Sequence, residues 1–449
     1  MKILFIENRY STLLWREASV GLFDEGHNIY WIVQNKIFDH QNVNSFHIPY
    51  PIIEELSDDP LSVELNFIAN TDRAIRYFGV EKKHYHYYQK AIENLIVKIS
   101  PDIVFGEATQ FHELMAIEFC KRKGIPYFAP NSTRYPVGRL TFFKYDTFES
   151  VGGDGGLSDE EAAQLLIQIN ARTVQPSYMA SPQRGILTSA MRFWEQLRIA
   201  RGWYEGERFI TPSPWCHFKR RRLQVSAMNS WDEISNNRNA IAISTALTIN
   251  EPWVLYPLQL QPESNIDVYG YPWSNQIETI ERAAIELGKQ GAKLLVKPNP
   301  KSKYEMSAEL VDAIKRHSNI IPLPHSLPMG QLFSNAPLVL SVTGTVILES
   351  VFASKSVCVL GQHALSNLRG VTAISKPEEV GEVLQLVLKN QAIKASRLDA
   401  LKLIKDLHAS SYDALLWDPI ARPDLYNANQ IANLRKAFCQ LVSYVNSSN

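Results

Sequence analysis

The chain has 449 residues, 45% of them hydrophobic and 20% charged, with 46 lysine and arginine residues against 46 aspartate and glutamate residues. This length predicts two domains with additional helices, and the composition excludes a disordered or fibrous chain. The absence of a net charge argues against a nucleic-acid-binding protein, which needs a basic face to neutralise phosphates, so we expect no nucleic-acid partner.

Cysteine usage and the first apolar run indicate the compartment. The cysteines form no CxxC motif, so they predict neither a zinc site nor a disulfide framework: Cys120, Cys216, Cys358 and Cys439. Glu7 and Arg9 interrupt the first apolar run before a signal-peptide core is complete, and no run of about 18 apolar residues occurs. We therefore expect a cytoplasmic protein.

Strands and helices alternate through the first third of the chain. Apolar periodicity predicts strands over 2–6, 29–33, 103–105 and 125–129, and helices over about 14–22, 86–99 and 112–123. This alternation is typical of a parallel, doubly wound sheet. Residues 1–145 are therefore predicted to form a Rossmann-like domain.

The pattern changes after residue 145 and resumes later. A glycine-rich stretch over 152–156 predicts a flexible break, and the mostly helical residues 146–245 are predicted to form a bridging region. Strands are then predicted over 254–260, 293–296, 320–323, 338–342 and 357–360, with a helix over 277–289. Residues 246–385 are thus predicted to form a second Rossmann-like domain, followed by C-terminal helices over 386–449.

The sharpest local signal is a buried strand that runs into a turn of small residues and then into a helix. Ser341, Thr343 and Thr345 can donate to a phosphate there, and Gly344 lets the ligand approach the backbone. Glu349 follows one helical turn later, where a carboxylate can accept from ribose hydroxyls. The alternative is an ordinary turn in which Thr343 or Thr345 is the helix N-cap.

Polar side chains also follow the other strands of the second domain. Gln261 and Glu263 come after the first strand, Lys297 after the second and His325 after the third. Ligands of open parallel sheets bind beyond the carboxyl ends of the strands, so these side chains are candidates for a binding site. For each of them taken alone, a solvated loop residue is the commoner meaning, and it is their coincidence on one edge that indicates a site.

The first domain carries a similar set of residues. Glu7 and Glu107 follow predicted strands, and burial that raises the pKa of Glu107 would suit it to acid or base catalysis. Arg134 and Arg139 share a turn and could hold a sugar carboxylate, or else form a salt bridge between domains. For Glu107 the alternative is an acceptor that only orients other groups.

Two further candidates lie in the bridging region. Asp232 follows a tryptophan and could be a carboxylate nucleophile of the retaining type, although a helix N-cap or a surface residue is the alternative. The basic run at 219–222, flanked by Trp215, Phe218 and Leu223, could touch anionic lipid or a charged glycan, or form a solvated helix face.

Several motifs together resemble a known group. They are Tyr-Pro-Leu-Gln-Leu-Gln-Pro-Glu over 256–263, Val-Lys-Pro-Asn-Pro over 296–300, Ser-Val-Thr-Gly-Thr-Val-Ile-Leu-Glu-Ser over 341–350, Phe-Gly-Glu over 105–107 and Arg-Tyr-Pro-Val-Gly-Arg over 134–139. In this order they look like the pattern of GT-B glycosyltransferases of bacterial capsule and lipopolysaccharide biosynthesis. Within that group the chain is most similar to the β-Kdo transferases, which use CMP-Kdo.

The resemblance implies an α/β protein of the GT-B type, in which two Rossmann-like domains with parallel sheets face each other across a cleft. The nucleotide-sugar donor would bind mostly to the second domain and a lipid-linked or oligosaccharide glycan acceptor mostly to the first, near Glu7. Arg134, Arg139 or Lys297 would hold the Kdo carboxylate. Retaining transfer would use Asp232 as nucleophile and Glu107 as acid/base, with His325 as a further catalytic residue.

The sequence departs from the group at one position, because Asn299 stands where many relatives have histidine in Lys-x-His-Pro. We expect His325 to supply a compensating contact. No Asp-x-Asp motif occurs and GT-B enzymes generally work without a divalent metal, so we expect no metal or other cofactor. Contact with the inner membrane stays open.

Other functions also fit these motifs. A UDP-sugar 2-epimerase has a similar fold and needs no glycan acceptor. A polyol-phosphate transferase with a CDP-linked donor shares the cytidine preference. A non-catalytic glycan-binding protein would have kept the fold and lost the chemistry, and Asn299 is the departure that favours it.

Overall fold

A computed structural model describes residues 1–36, 44–174, 176, 186–206, 208–209, 213–246, 251–361, 364–419 and 422–448. Its contacts divide the chain into two compact units. Unit 1 contains Met1–Ser158, Gln175–Cys216 and Ile404–Asn449, and unit 2 contains Asp159–Val174 and His217–Leu403. Each unit is built around its own β-sheet.

The strands of unit 1 are β1 (Lys2–Ile6), β2 (Asn28–Val33), β3 (Asn44–His47), β4 (Ile103–Phe105), β5 (Tyr127–Ser132), β6 (Leu140–Lys144) and β7 (Ser150–Val151). Those of unit 2 are β8 (Trp253–Pro257), β9 (Lys293–Lys297), β10 (Ile320–Pro322), β11 (Leu338–Ser341), β12 (Val357–Leu360) and β13 (Val371–Ile374).

The helices of the first half of the chain are α1 (Arg9–Asp24), α2 (Val63–Thr71), α3 (Arg73–Phe78), α4 (Tyr85–Ile99), α5 (Phe111–Lys123), α6 (Asp159–Asn170), α7 (Ile186–Glu205) and α8 (Pro214–Ala246). Those of the second half are α9 (Ser264–Asp267), α10 (Gln276–Lys289), α11 (Ala308–Arg316), α12 (Met329–Phe333), α13 (Val346–Phe352), α14 (Val380–Leu388), α15 (Arg397–Ala409) and α16 (Ala428–Ser448).

The sheet of unit 1 has the order β3-β2-β1-β4-β5-β6-β7. Its first five strands pair in parallel, whereas β6 and β7 extend the edge in antiparallel pairing. The central strands are apolar on both faces because helices cover both faces of a parallel sheet. One face carries an aromatic cluster in which Phe438 of α16 lies 4.9 Å, between ring centroids, from both Phe105 and Phe142.

The sheet of unit 2 is parallel throughout, with the order β10-β9-β8-β11-β12-β13. The chain moves outward from β8 to β10, returns to the other side of β8 with β11, and then moves outward again. The strand order therefore reverses between β8 and β11. In sheets of this kind, ligands bind beyond the carboxyl ends of the strands at that point of reversal.

The α/β prediction with two Rossmann-like sheets is confirmed. Strand predictions failed where the apolar pattern is weak or the pairing is antiparallel: β3 carries Asn-Ser-Phe-His, and β6 and β7 form an antiparallel edge. The last strand, β13, was also missed, because its burial is partial. Short strands with exposed positions lack the continuous apolar run on which the predictions depended.

The contact-based units differ from the predicted division of the chain. Residues 404–449 belong to unit 1, because the apolar face of α16 packs into its aromatic core. The predicted bridging region 146–245 is divided between the units, since α6 and most of α8 join unit 2. Trp231 of α8 is fully buried in the core of unit 2.

The glycine-rich stretch is a packed segment of unit 1, where a flexible break was predicted. Gly153 has φ +139°, and a Cβ atom placed there would lie 1.8 Å from the carbonyl oxygen of Ala409. The backbone N–H of Asp154 donates to the carbonyl of Ser411 at 3.0 Å. The glycines therefore allow the chain to lie against the segment that follows α15.

The described helices include none that is both long enough and apolar enough to cross a membrane.

We expect Phe438→Ala to lower the free energy of unfolding by about 3–5 kcal/mol, because it removes a fully buried ring from the aromatic core of unit 1. Urea unfolding monitored by circular dichroism measures this change. Tyr444→Ala on the same helix is the control, since Tyr444 is half exposed and its loss should cost less than about 1 kcal/mol. Equal effects of the two substitutions would contradict the packing described for α16.

Candidate functional site

The loops at the carboxyl edge of the unit 2 sheet are joined by the side chain of Gln259. Its Oε1 accepts from the backbone N–H groups of Val342 and Thr343 at 3.3 and 3.1 Å, and its Nε2 donates to Thr343 Oγ1 at 2.8 Å. Thr343 Oγ1 in turn donates to the carbonyl of Asn265 at 2.6 Å. The amide therefore fixes the loops after β8 and β11 against each other, at the point where the strand order reverses.

Gln261 belongs to the same buried network. Its Nε2 donates to Asp267 Oδ1 at 2.7 Å and to the carbonyl of Ser274 at 3.0 Å, while its Oε1 accepts from Gln276 Nε2 at 3.1 Å. Gln276 also donates to the carbonyl of Gln259 at 2.8 Å. Both ends of the Gln261 amide thus shape the loop after β8. A contact between Gln261 and the nucleotide-sugar donor stays a prediction.

The predicted anion site at Ser341–Thr345 divides into buried and accessible parts. Ser341 and Thr343 are fully buried, and Ser341 Oγ accepts from the backbone N–H of Gly344 at 3.3 Å. Gly344 and Thr345 are partly exposed, as is Glu263 in the neighbouring loop. Three hydroxyl groups were predicted to donate hydrogen bonds to a phosphate, and that of Thr345 is the one that remains accessible. The Thr343 hydroxyl instead stabilises the loop after β11.

Glu349 forms an ion pair inside unit 2. Its Oε2 lies 2.8 Å from Arg172 Nη2, and the Arg172 guanidinium lies 5.1 Å from the centroid of the Phe333 ring. Arg172 carries no signal in the sequence, because it lies far from Glu349 in the chain and within no motif. The predicted contact of Glu349 with ribose stays a prediction, and any such contact would involve a carboxylate already paired with an arginine.

Lys297 is a buried ammonium group at the end of β9. Its Nζ donates to the carbonyl oxygens of Pro298 at 2.9 Å and His325 at 3.3 Å, and it forms no ion pair with a described carboxylate. Burial lowers the pKa of Lys297 to about 8, because desolvation disfavours its charged form. A buried cation that contacts only carbonyl dipoles is suited to receive an anion.

Asp232 and His325, both predicted to be catalytic, lie together in unit 2. His325 Nδ1 is 3.1 Å from Asp232 Oδ1, and Trp231 anchors this part of α8 by donating from Nε1 to the carbonyl of Leu323 at 2.9 Å. The Asp232 side chain is 52% exposed and that of His325 only 18%. An Nδ1–H that donates to Asp232 orients the carboxylate and leaves His325 Nε2 as an acceptor.

In unit 1, Glu107 is accompanied by a second glutamate that the sequence analysis missed. Glu113, on the first turn of α5, is fully buried. Asn8 Nδ2 bridges the two side chains, at 2.8 Å from Glu113 Oε1 and 3.4 Å from Glu107 Oε2. Glu113 lies within an apolar helix pattern and gave no separate signal, although Gln110-x-x-Glu113 matches the spacing of a capping box.

The environment of Glu107 suits a proton-exchanging group. Burial, assisted by the negative charge of Glu113, raises the pKa of Glu107 to about 7. The Ser11 hydroxyl donates to its Oε1, and the Tyr127 hydroxyl donates to its backbone carbonyl at 2.7 Å. A carboxyl group with a pKa near the working pH exchanges protons efficiently in either direction.

The remaining candidates of unit 1 do not form one cluster. Glu7 is buried at the end of β1, beside β4, and its carbonyl lies 2.7 Å from His112 Nε2. Arg139 Nη2 pairs with Asp154 and also donates to the carbonyl of Ser411 at 2.7 Å. Arg139 therefore serves as a tie within unit 1.

Arg134 has a different environment from Arg139. Its guanidinium carbon lies 5.7 Å from the centroid of the Phe148 ring, and the residue is partly exposed. Of the predicted arginine pair, Arg134 is therefore the stronger candidate for a sugar carboxylate, and this role stays a prediction for both.

The basic run at 219–222 lies on α8. Arg220 is tied to unit 2, since its guanidinium lies 5.3 Å from the Tyr304 ring centroid and Nη2 donates to the Tyr304 carbonyl at 3.4 Å. The flanking side chains Trp215, Phe218 and Leu223 are exposed. A contact with lipid or glycan stays a prediction.

No cluster of three or more histidine, cysteine, aspartate or glutamate side chains suited to a metal ion occurs among the described residues. The expectation of a metal-free reaction stays a prediction.

No family model and no curated protein matches this chain. Among solved structures it is similar to the UDP-GlcNAc 2-epimerase of Methanocaldococcus jannaschii, at 13% identity over 91% of this chain and 99% of that chain, with a TM-score of 0.28. It is also similar to the β-Kdo 2,4-transferase of Thermosulfurimonas dismutans, at 12% identity over 70% and 79% of the two chains, with a TM-score of 0.37.

A third similar structure is the α,α-trehalose 6-phosphate synthase of Burkholderia multivorans, at 11% identity over 99% of this chain and 72% of that chain, with a TM-score of 0.33. TM-scores this low carry no argument about the activity of this chain. Its function is therefore argued from its own residues.

We expect Thr343→Val to lower the free energy of unfolding of unit 2 by about 1–3 kcal/mol, because it leaves Gln259 Nε2 and the Asn265 carbonyl without their buried partner. Thr345→Val, at the accessible position of the same turn, is the matched control and should have a smaller effect. Chemical denaturation measures both. A larger loss in the Thr345 variant would contradict the roles assigned to the two threonines.

Proposed function

We propose that this chain is a glycosyltransferase of bacterial surface polysaccharide synthesis, in the capsule or O-antigen class, that transfers Kdo from CMP-Kdo to a glycan acceptor with retention. The observation that carries the proposal is the Asp232–His325 pair, joined through the His325 backbone to the buried ammonium of Lys297. A carboxylate nucleophile near a cation with no carboxylate partner is the arrangement that an anionic sugar donor requires. The choice of Kdo as the sugar and of CMP as the nucleotide follows from the motif resemblance.

Lys297 is the proposed anion-binding group of the donor site. Its ammonium is desolvated before any ligand arrives, so an incoming phosphate or carboxylate gains a strong interaction without first displacing a counter-ion. The partly exposed Thr345 and the backbone at Gly344 offer further donors after β11, which is separated from β9 by β8 at the same edge of the sheet. Together they would receive the phosphate of CMP or the carboxylate of Kdo.

The proposed first step is attack by an Asp232 oxygen on the anomeric carbon of the donor. The bond from that carbon to the phosphate oxygen breaks, and CMP leaves with the electron pair. The Kdo carbon carries a carboxylate and no hydrogen, so positive charge that develops there is stabilised by nearby carboxylates. His325 would hold Asp232 in the orientation for attack by donating from Nδ1.

The proposed second step transfers the sugar to the acceptor. An acceptor hydroxyl attacks the same carbon, the bond to Asp232 breaks with its electron pair returning to the carboxylate, and the hydroxyl proton passes to a base. Two inversions give net retention. Glu107 is our candidate for the base, because its pKa of about 7 lets a substantial fraction be ionised at neutral pH.

The proposed acceptor is a glycan. A lipid-linked or free oligosaccharide would be recognised through hydroxyl groups and charges. Arg134 and Glu7 are the candidates, because Arg134 is partly exposed and Glu7 follows the strand beside the one that precedes Glu107. Exposed Trp215 and Phe218 beside the basic run would suit peripheral contact with the inner membrane.

We expect CMP to stabilise the protein selectively among CMP, CDP, UMP, UDP and GDP in a thermal-shift panel, since binding to the folded state alone raises its stability. CMP affinity should fall up to about tenfold between pH 7 and pH 9, because Lys297 loses its charge above its pKa of about 8. Isothermal titration calorimetry at the two pH values measures this fall.

Lys297→Met should bind CMP weakly and without this pH dependence. Lys293→Met at the other end of β9 is the matched control and should behave like the unmodified protein. Selective stabilisation by UDP would favour the sugar-nucleotide epimerase instead, and selective stabilisation by CDP the polyol-phosphate transferase. No stabilisation by any nucleotide would favour a non-catalytic protein.

We expect Asp232→Asn to reduce the rate of Kdo transfer by a factor of about 1,000 or more, because the amide is a poor nucleophile. Transfer of Kdo from freshly prepared CMP-Kdo to an oligosaccharide acceptor, followed by mass spectrometry, measures the rate. Glu233→Gln is the control for charge on the same exposed turn of α8. A rate within a few-fold of the unmodified protein would exclude Asp232 as the nucleophile.

A further inference from the structure

We propose that Glu113 is a positioning residue: its carboxylate, fixed by the first turn of α5, makes Glu107 the member of the pair that exchanges protons. This inference rests on the acid/base role proposed for Glu107. It adds a residue that does not touch the substrate and acts only through its neighbour.

The hydrogen-bond donors around Glu113 favour its ionised form and oppose the effect of burial, which raises its pKa. Its Oε2 accepts from the backbone N–H groups of Thr109 and Gln110 at 3.1 and 2.9 Å and from the Thr109 hydroxyl at 2.8 Å. Its Oε1 accepts from Asn8 Nδ2 at 2.8 Å and from the backbone N–H of Glu107 at 3.1 Å. The positive end of the α5 helix dipole also favours a negative charge at this position.

Glu107 has fewer and weaker contacts of this kind. The Ser11 hydroxyl donates to Oε1, but the contacts of Oε2 with Asn8 Nδ2 and with the Thr109 hydroxyl are both long, at 3.4 Å. Asn8 and Thr109 make their shorter bonds to Glu113. Burial raises the pKa of both carboxyl groups, and the difference in contacts leaves the proton on Glu107.

The other charged and titratable groups near Glu107 are few. Arg73 of α3 acts in the opposite sense to Glu113, since its positive charge lowers the pKa of Glu107. Tyr127 of β5 contacts only the Glu107 backbone carbonyl. Glu7 and His112 contact each other at the neighbouring end of β1. The charge of Glu113 thus raises the pKa of Glu107, whereas the charge of Arg73 lowers it.

Removing the Glu113 charge should therefore make Glu107 a weaker base. In Glu113→Gln the pH at which the transfer rate rises should move to lower pH by about one pH unit, and the rate on the plateau should fall. Complete pH–rate profiles of kcat measure both quantities. Glu118→Gln removes a charge from the same helix at a position paired with Lys121, and its profile should match that of the unmodified protein.

A merely structural role for Glu113 would lower the rate without moving the profile, and that result would overturn the proposal. Glu113→Asp is the second variant, because it keeps the carboxylate but moves its charge away from Glu107, and it should shift the profile in the same direction by less. It keeps the test decisive if Glu113→Gln does not fold.

A direct titration separates this inference from the proposed function. With carbon-13-labelled glutamate, one carboxyl resonance should titrate near pH 7 and be lost in Glu107→Gln. In Glu113→Gln it should titrate at lower pH. This result would support the inference even if no Kdo transfer occurred, whereas an unchanged titration in Glu113→Gln would overturn it even in an active transferase.

Discussion

The candidate donor site depends on one buried amide. Gln259 satisfies two backbone N–H groups and a hydroxyl on the loop after β11 while its own backbone belongs to the loop after β8. Both loops leave adjacent strands where the sheet reverses its order, and irregular backbone buried at that point must find hydrogen-bond partners. Because the amide supplies them, the turn that carries Thr345 is held at a fixed position beyond β11.

The two units handle charge in different ways. Unit 2 keeps a single ammonium group away from water among carbonyl dipoles, which prepares the site for an anion. Unit 1 keeps two carboxyl groups side by side and distinguishes them by the number and length of their hydrogen bonds. In both cases the protein has paid the cost of desolvation during folding, so that the chemistry meets groups already shifted from their properties in water.

The features that could be predicted from the sequence are those that depend on a local pattern of residues. Continuous apolar runs marked the buried parallel strands, and polar residues that follow such strands were found near the edge where the topology brings strand ends together. Asp232 and His325 were both selected, but their contact joins positions far apart in the chain and could not be read from spacing. The roles of Gln259, Gln276, Glu113 and Arg172 were not predicted, because tertiary packing selects the partners of these residues. The contacts of Arg139 with Asp154 and Ser411 could not be predicted for the same reason. They form because the segment around Ser411 packs against the rest of unit 1, which periodicity does not reveal.

Because the chain returns to unit 1 after unit 2, the order of synthesis affects folding. The strands of unit 1 precede unit 2 in the chain, yet one face of their sheet is covered by α16, which follows unit 2. Along the chain, the residues of unit 2 come almost wholly between these two segments. On the ribosome, unit 2 can complete its core first, while the aromatic face of unit 1 remains uncovered until α16 has been synthesised. During that interval the nascent chain exposes a surface that chaperones bind, and a ribosome that stalls late would release a chain with one finished sheet and one open one.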